Sequence, residues 1–464
     1  MKKLFALILT FCVMAATLSF MALATDAPAS DVVLRVSGEK SDGNIAVIRD
    51  YKDFADGWNA AMRLAESGED LKKNDFVRVV VDLYADWTSA DGFWSSVYFP
   101  EGVRVTLNLN GHTVDRGLDD WQYDGEVLYI DEKANVIINN GTVTGGFNYG
   151  GAGGIHIHDD AIVILNNVNV VGNTVVDDKG TAIAVYDGAT LTMNGGCLSD
   201  NLLNAYYSAF AWTEGTLYVD DATAILNNVV IAGNQFNDHG SEGAAVSLNG
   251  LSTVTLNACT VENNGNKEGT KANSIFFTDD RDCVLNLNNT VIKNNGVAFS
   301  SESGMPSALF EIHGKLTMSG CTVTGNVPAA MFRVWGNCAA VDVDINDSTF
   351  TDNASAVFAY PGDMESYGCA QYTLVNCQFS NKGMEKDYVF KGDSLADVSL
   401  IDCDLGTAAI ENKERVKIVD SSRATGSMLG EGSLPMVVAL AALVVSIASL
   451  GVVMASNKKK VSDK

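Results

Sequence analysis

Three aspartates, Asp159, Asp187 and Asp220, each stand six residues ahead of an apolar position that recurs along the chain, here Leu165, Met193 and Leu226. If those positions lie on successive layers of one structure, the carboxylates stack about 5 Å apart, with Asp160 and Asp221 beside them. Like charges that close repel, and calcium, which takes hard oxygen ligands, would relieve the repulsion. Aspartates selected for bend geometry alone are the plainer alternative. A second group is aromatic. Trp121 and Tyr123 follow the first repeat, and Tyr206, Tyr207, Phe210 and Trp212 occupy the longest interval between repeats. Exposed rings there would stack on the C–H faces of sugars and bind polysaccharide; rings folded down onto the body of the protein are the plainer alternative. His156 and His158 alternate with Ile155 and Ile157, so they share the outer face of a strand, as a binding or metal pair or as two ordinary surface imidazoles.

Candidates for catalysis are sparse. Asp279-Asp280-Arg281-Asp282 sets one Arg among three acids, as sugar-acid elimination would need, but it reads more simply as a charged turn between strands. Inverting hydrolysis needs two carboxylates held apart across the scissile bond, and no convergent pair is evident. The cysteines form no C-x-x-C pair and no zinc-spaced cluster with histidine. Cys259, Cys321, Cys377 and Cys403 instead share one repeat position, so Cys377 and Cys403 fall on adjacent layers, within disulfide reach or as stacked buried thiols.

All these residues hang on one repeat. The anchor position reads Leu109, Ile138, Leu165, Met193, Leu226, Leu256, Leu287, Met318, Ile345, Leu374 and Leu400. Apolar or aromatic residues stand two before and five after every anchor, and the anchors recur at intervals of 26 to 33 residues. Val163-x-Leu165 has a period of two, and a short strand such as Ile155-x-Ile157 or Ile183-x-Val185 precedes it across a turn. No helical period appears within a repeat. The pattern predicts a coil of about eleven stacked rungs with inward ladders of Leu, Val and Ile. Eight residues after the anchors, Asn173, Asn201, Asn234, Asn264, Asn295, Asn326 and Asn353 predict an amide ladder.

This grammar, over residues 100–410, resembles the right-handed parallel β-helix of the pectate-lyase-like superfamily. The resemblance implies fold strongly and function weakly, because the superfamily includes polysaccharide lyases and hydrolases on one scaffold. Asp177-Asp178, His239-Gly240 and Arg415-Val416-Lys417 imitate the order of polygalacturonase motifs, but they lie too many rungs apart to converge.

Along the chain, residues 1–24 read as a signal peptide: Lys2 and Lys3, an apolar run, then Ala22-Leu23-Ala24. Residues 25–100 lack the repeat and predict an α/β cap over the open end of the coil, with a helix over Tyr51–Glu66 and a strand over Phe76–Tyr84. The passage from this helix into Leu107-Asn108-Leu109-Asn110-Gly111-His112 is similar to the opening of β-helix surface proteins of Gram-positive bacteria. After the coil (101–410) and a polar linker (411–433), residues 434–455 form an uncharged run long enough to span a bilayer. A tail, 456–464, with Lys458, Lys459 and Lys460, places that end in the cytoplasm and the coil outside. The end resembles a Gram-positive sorting signal, yet Leu434-Pro435 is followed by Met436-Val437-Val438 rather than x-Thr-Gly, which implies a retained membrane helix.

The chain carries 31 basic and 57 acidic residues; without signal, span and tail, 25 face 56. A field that acidic repels nucleic acid and attracts cations. The expectation is therefore an all-β right-handed parallel β-helix of about eleven rungs with an N-terminal α/β cap and a C-terminal transmembrane helix. It would be anchored at the cell surface for adhesion, glycan contact or display, with a polysaccharide or surface protein as partner. A surface-tethered polysaccharide lyase or glycoside hydrolase is the alternative.

Overall fold

The computed structural model describes residues 28–89, 96–204, 214–237, 243–265, 274–296, 308–327, 330–334, 340–354, 357–358, 360–361, 369–381, 387–392 and 396–421. The expected signal peptide and the apolar run 434–455 lie outside them. Among the described residues no helix is long and apolar enough to cross a membrane.

The described chain is an all-β parallel solenoid with two short helices near its start. Its first wall runs from Arg104–Asn108 through Asn135–Thr144, Ile162–Val171 and Thr190–Ser199 to Ala396–Ile401, each strand parallel to the next. The repeat register holds from Ile138 paired with Leu165 to Leu374 paired with Leu400. Only the first anchor is displaced, because Leu107 rather than Leu109 pairs with Ile138. Val114 still pairs with Val143, so two extra residues sit in the first bend. A shift of two preserves strand parity, and both leucines remain buried.

The second wall runs from Val97–Phe99 through Leu128–Ile130, Ile155–Ile157, Ile183–Tyr186, Leu217–Asp220 and Val246–Asn249 to Ala330–Val334 and a short Tyr360–Pro361. The solenoid closes about nine turns, not eleven. All eleven copies pair along the first wall, but among the described residues only ten place a strand on the second, and the tenth, Tyr360–Pro361, is two residues long. Val357–Phe358, Val389–Lys391 and Ala409–Glu411, which follow the last three anchors, form a separate three-stranded sheet. Aromatic bulk gathers at this end. Phe358 packs 4.8 Å from Phe390, 5.3 Å from Phe379 and 5.6 Å from Phe332, so rings fill the bore where an aliphatic ladder would otherwise continue.

The bends are made by residues that tolerate positive φ. Two residues past the anchors stand Asn140, Asn167, Gly195, Asn228, Ala258, Asn289, Gly320, Asp347, Asn376 and Asp402, all in the left-handed region. The ladder asparagines are not among them; the left-handed residue falls one position earlier, as at Gly172, Asp200, Gly233 and Asn263. The seven asparagines serve as bonding groups instead. Each of the first six donates Nδ2–H to the Oδ1 of the next, over 2.8–3.1 Å from Asn173 to Asn353. That Oδ1 also accepts the backbone N–H of the previous ladder residue. A second ladder, one residue past the anchors, was not expected. Asn288, Asn257, Asn227, Asn194, Asn166 and Asn139 each donate to the preceding rung, ending on Asn108, and all but the buried Asn139 are half-buried.

The expected helix and strand of residues 25–100 are both present. Phe54–Glu66 is capped by Asp53 and buries Phe54, Trp58, Ala61, Met62 and Ala65. Phe76–Leu83 pairs in parallel with Arg104–Asn108 and so begins the first wall. Two antiparallel strands, Leu34–Lys40 and Ile45–Tyr51, and a short helix, Gly68–Lys73, complete the cap.

Candidate functional site

Parity on the second wall sends Ile155 and Ile157 inward and His156 and His158 outward. Neighbouring strands share that register, so Tyr98, Tyr129, His156, Ala184 and Tyr218 align in one outward column. His158 and Tyr186 stand in the next column, their rings 6.1 Å apart. Together they form a stripe of six rings over five strands. Centroids are 5.7 Å apart for Tyr98–Tyr129, 5.2 Å for Tyr129–His156, 4.5 Å for the stacked His156–His158 pair, 5.1 Å for His156–Tyr186 and 5.7 Å for Tyr186–Tyr218. Tyr98 is 42% exposed, Tyr129, His156, His158 and Tyr186 are half-buried, and Tyr218 is covered.

At its covered end the stripe meets a charged network. Lys179 Nζ lies 3.3 Å from Glu214 Oε1, donates to the Tyr218 hydroxyl at 3.0 Å and stands 4.6 Å from the Tyr218 ring centroid. Tyr218 donates to Asp220 Oδ2 at 2.9 Å, and Asn249 donates to its other oxygen at 2.9 Å. Ser247 Oγ donates to Glu214 Oε2 at 2.6 Å. Burial drives the ionisations. It raises the Glu214 carboxyl and the Tyr186 and Tyr218 hydroxyls, and it pushes His156 down to about 3, with His158 adding to that effect. His156 is thus a neutral ring across ordinary pH. Further along the same column, Glu311 and Arg333 form a buried ion pair, with His313 Nε2 3.9 Å from Glu311.

The expected column Asp159–Asp187–Asp220 is only partly assembled. Tyr186, not Asp187, pairs with Asp220, so Asp187 stands level with Asp221. The physical reason is a change of bend length: from Ile183 to Leu217 the second wall is one residue longer than the first wall from Met193 to Leu226. Asp187 is still crowded. Partial burial first, then the charges of Asp159, Asp220 and Asp221, raise its carboxyl. Among the described residues no group of three or more His, Cys, Asp or Glu side chains is placed to hold a metal ion.

Of the aromatic candidates, Trp121 lies 5.6 Å from Tyr123 and 5.2 Å from Tyr149, with Tyr123 and Tyr149 5.4 Å apart. Tyr123 is 69% exposed, so this trio forms a second, smaller aromatic surface. Tyr206, Tyr207 and Trp212 lie outside the described residues. Asp279–Asp282 is an exposed turn before Val284–Asn288, with Arg281 3.7 Å from Asp282. Arg415 pairs with Asp397 at the end of the coil, remote from Asp177 and Asp178.

The cysteine column has a plain structural role. Cys259, Cys321 and Cys403 direct their thiols at the carbonyls of Leu226, Leu287 and Leu374 on the preceding rung, as the Thr290 hydroxyl does at Leu256. Sequence reasoning missed Tyr98, Tyr129, Tyr186, Tyr218, Lys179 and Glu214. A usable signal was present for three of them: an aromatic between the two inward residues of a second strand, at Tyr98, Tyr129 and Tyr218, the place His156 holds on its own strand. The arrangement can bind a ligand along ring faces bordered by carboxylates, and burial makes its Glu214 hold a proton more tightly than an ordinary glutamate. No protein-family model matches the chain, and no curated protein or solved structure is detectably similar to it.

Proposed function

We propose that this chain is a cell-surface β-helix that contacts glycans, held by the apolar run 434–455 with its coil outside the membrane. In this reading the coil is of the right-handed, pectate-lyase-like type found in surface proteins of Gram-positive bacteria. The observation that carries the reading is the stripe Tyr98–Tyr129–His156–His158–Tyr186, half-exposed on a rigid parallel sheet. Tyrosine offers an apolar face with a polar rim, and its two side-chain torsions make it an inexpensive residue to immobilise. A parallel sheet fixes the rings at rung spacing, so little order is lost on binding. The Trp121–Tyr123–Tyr149 trio supplies a second contact of the same chemistry.

One observation favours catalysis as a second reading. Glu214 is buried with its carboxyl raised, on the rung that carries Asp220, the two being joined through Lys179 and Tyr218. A carboxyl raised by burial near a second carboxylate is the kind of asymmetry that glycoside hydrolysis uses.

The test is glycan-array binding by the full-length chain with calcium or with chelator, followed by assay of bound polysaccharides for new reducing or unsaturated ends. Binding without new ends, lost in Tyr129→Ala, supports the contact reading. New ends that vanish in Glu214→Gln make the enzyme reading primary. Binding unchanged by Tyr129→Ala removes the stripe from the site.

A further inference from the structure

An ammonium group stands against the second wall, and its setting bears on what the rest of the stripe accepts. Lys179 Nζ stands over the Tyr218 ring, with the Tyr218 hydroxyl at 3.0 Å and a Glu214 oxygen at 3.3 Å. An amine here is held by three things at once: a ring face, a hydroxyl and a carboxylate. Aromatic faces carry a negative quadrupole, so a cation is attracted to them and strengthened in that attraction by a nearby acid.

The half-exposed part of the stripe repeats this combination without a lysine above it. The rings of Tyr129, His156, His158 and Tyr186 form the floor. The bend that follows each strand supplies carboxylates: Asp131, bonded to the Tyr98 hydroxyl; Asp159, 3.5 Å from His158; and Asp187, level with Asp221. Partial burial first, and then its acidic neighbours, make Asp187 hold its proton more tightly than an ordinary aspartate. Lys133, on the same bend, is engaged by Glu101 and Glu132. A field of this sign, on a strongly acidic chain, repels uronates, sulfates and phosphates from the stripe and concentrates cations over it.

We infer that the stripe between Tyr98 and Tyr186 takes an amine-bearing glycan, whose sugar rings lie on the aromatic faces while its ammonium groups meet the carboxylates of the adjoining bend. This rests on the glycan-contact reading and narrows it to one ligand chemistry. The discriminating group is the amine: acetylating it removes the charge and leaves the sugar faces unchanged.

The experiment uses the full-length chain and three short probes of equal length: an oligomer of glucosamine, its fully N-acetylated counterpart and an oligogalacturonate. Affinities are measured at 0.05 and 0.3 M NaCl for the natural chain, for Tyr129→Ala, and for the double variant Asp159→Asn with Asp187→Asn. Unfolding midpoints serve as a check on folding. The expected result is glucosamine binding at least tenfold tighter than its acetylated counterpart, no oligogalacturonate binding, and weakening by salt because exposed charges are screened. The double variant loses most of the preference for the free amine and retains the weaker acetylated binding; Tyr129→Ala loses both. Equal affinity for the acetylated and free oligomers, or tighter oligogalacturonate binding, overturns the inference while leaving glycan contact standing. Glucosamine binding that survives Tyr129→Ala is adsorption of a polycation to an acidic protein and also overturns it. If none of the probes, and no glycan on the array, binds in a Tyr129-dependent way, the contact reading falls with it.

Discussion

Replacing Asn264 by Ala tests the inner amide ladder where it is surrounded on both sides. Asn264 donates Nδ2–H to Asn295 Oδ1 at 3.0 Å and to the Ile231 carbonyl at 2.8 Å. Its Oδ1 accepts from Asn234 twice, from Nδ2 at 2.8 Å and from the backbone N–H at 3.2 Å. Alanine leaves both of those Asn234 donors without their acceptor. The Asn234 amide keeps its bond to Leu198, and Asn295 Oδ1 keeps the backbone N–H of residue 264. Two orphaned buried donors at ~1–3 kcal/mol each give a loss of roughly 2–6 kcal/mol. Asn257→Ala is the matched control on the outer ladder. It breaks bonds to Asn227 and Asn288 of the same 2.9 Å length, but these groups are half-buried and water replaces the amide, so the loss is about 1 kcal/mol or less. The assay is urea unfolding together with native-state hydrogen exchange of the Asn234 amide, since repeats couple chiefly to their neighbours. Equal losses for Asn264→Ala and Asn257→Ala, or unchanged protection at Asn234, would show that burial of the ladder contributes nothing beyond its bond count.

Three further outcomes follow from the structure. Because burial raises the Glu214 carboxyl above its unfolded value, its contribution to stability is fully present below about pH 4.5 and is lost as pH rises through the folded value; Glu214→Gln should therefore gain on the natural chain between pH 4.5 and 8, and a constant difference in unfolding midpoint across that range would refute the assignment. At Gly265, φ is +88° and an added Cβ would meet the Gly296 carbonyl oxygen at 1.7 Å, whereas at Gly102 φ is +68° with open space around it; alanine at Gly102 should cost about 1 kcal/mol and at Gly265 several times more, read from denaturant midpoints, and equal costs would contradict the close rung contact. The Cys377 thiol donates toward Cys403 and holds its thiol below the ordinary value, while burial raises Cys259 and Cys321; iodoacetamide at pH 7.5 should label Cys403 first and more slowly in Cys377→Ala, with equal rates at Cys259 arguing against the pairing.

The inward ladders were legible because a solenoid repeats one local decision. Every anchor from Ile138 to Leu400 pairs as the sequence spacing requires, since a strand with one buried face cannot slip by one residue without turning its apolar set to water. The same reasoning found the Asn173–Asn353 column and the helix behind Asp53. The seven asparagines lie just past the bends, whose left-handed residues fall one position earlier, at residues such as Gly172 and Asp200.

What the chain alone determined, then, is everything that repeats: the parallel coil, its inward columns, its amide ladder and the acidity of its surface. The tertiary structure decided what depends on adding bends of unequal length. One extra residue between Ile183 and Leu217 moved Asp220 off Asp187 and set it beside Tyr218. The solenoid closes about nine turns although eleven copies pair along the first wall, and a crowd of rings around Phe358 fills its far end. Outward residues carry no burial signal of their own, so the contact of Lys179 with Glu214 and the run of rings from Tyr98 to Tyr218 became visible only once the walls were stacked in register. Burial fixes a period in the sequence, whereas a surface site is assembled from residues far apart in the chain whose relative positions are set by the bends between them.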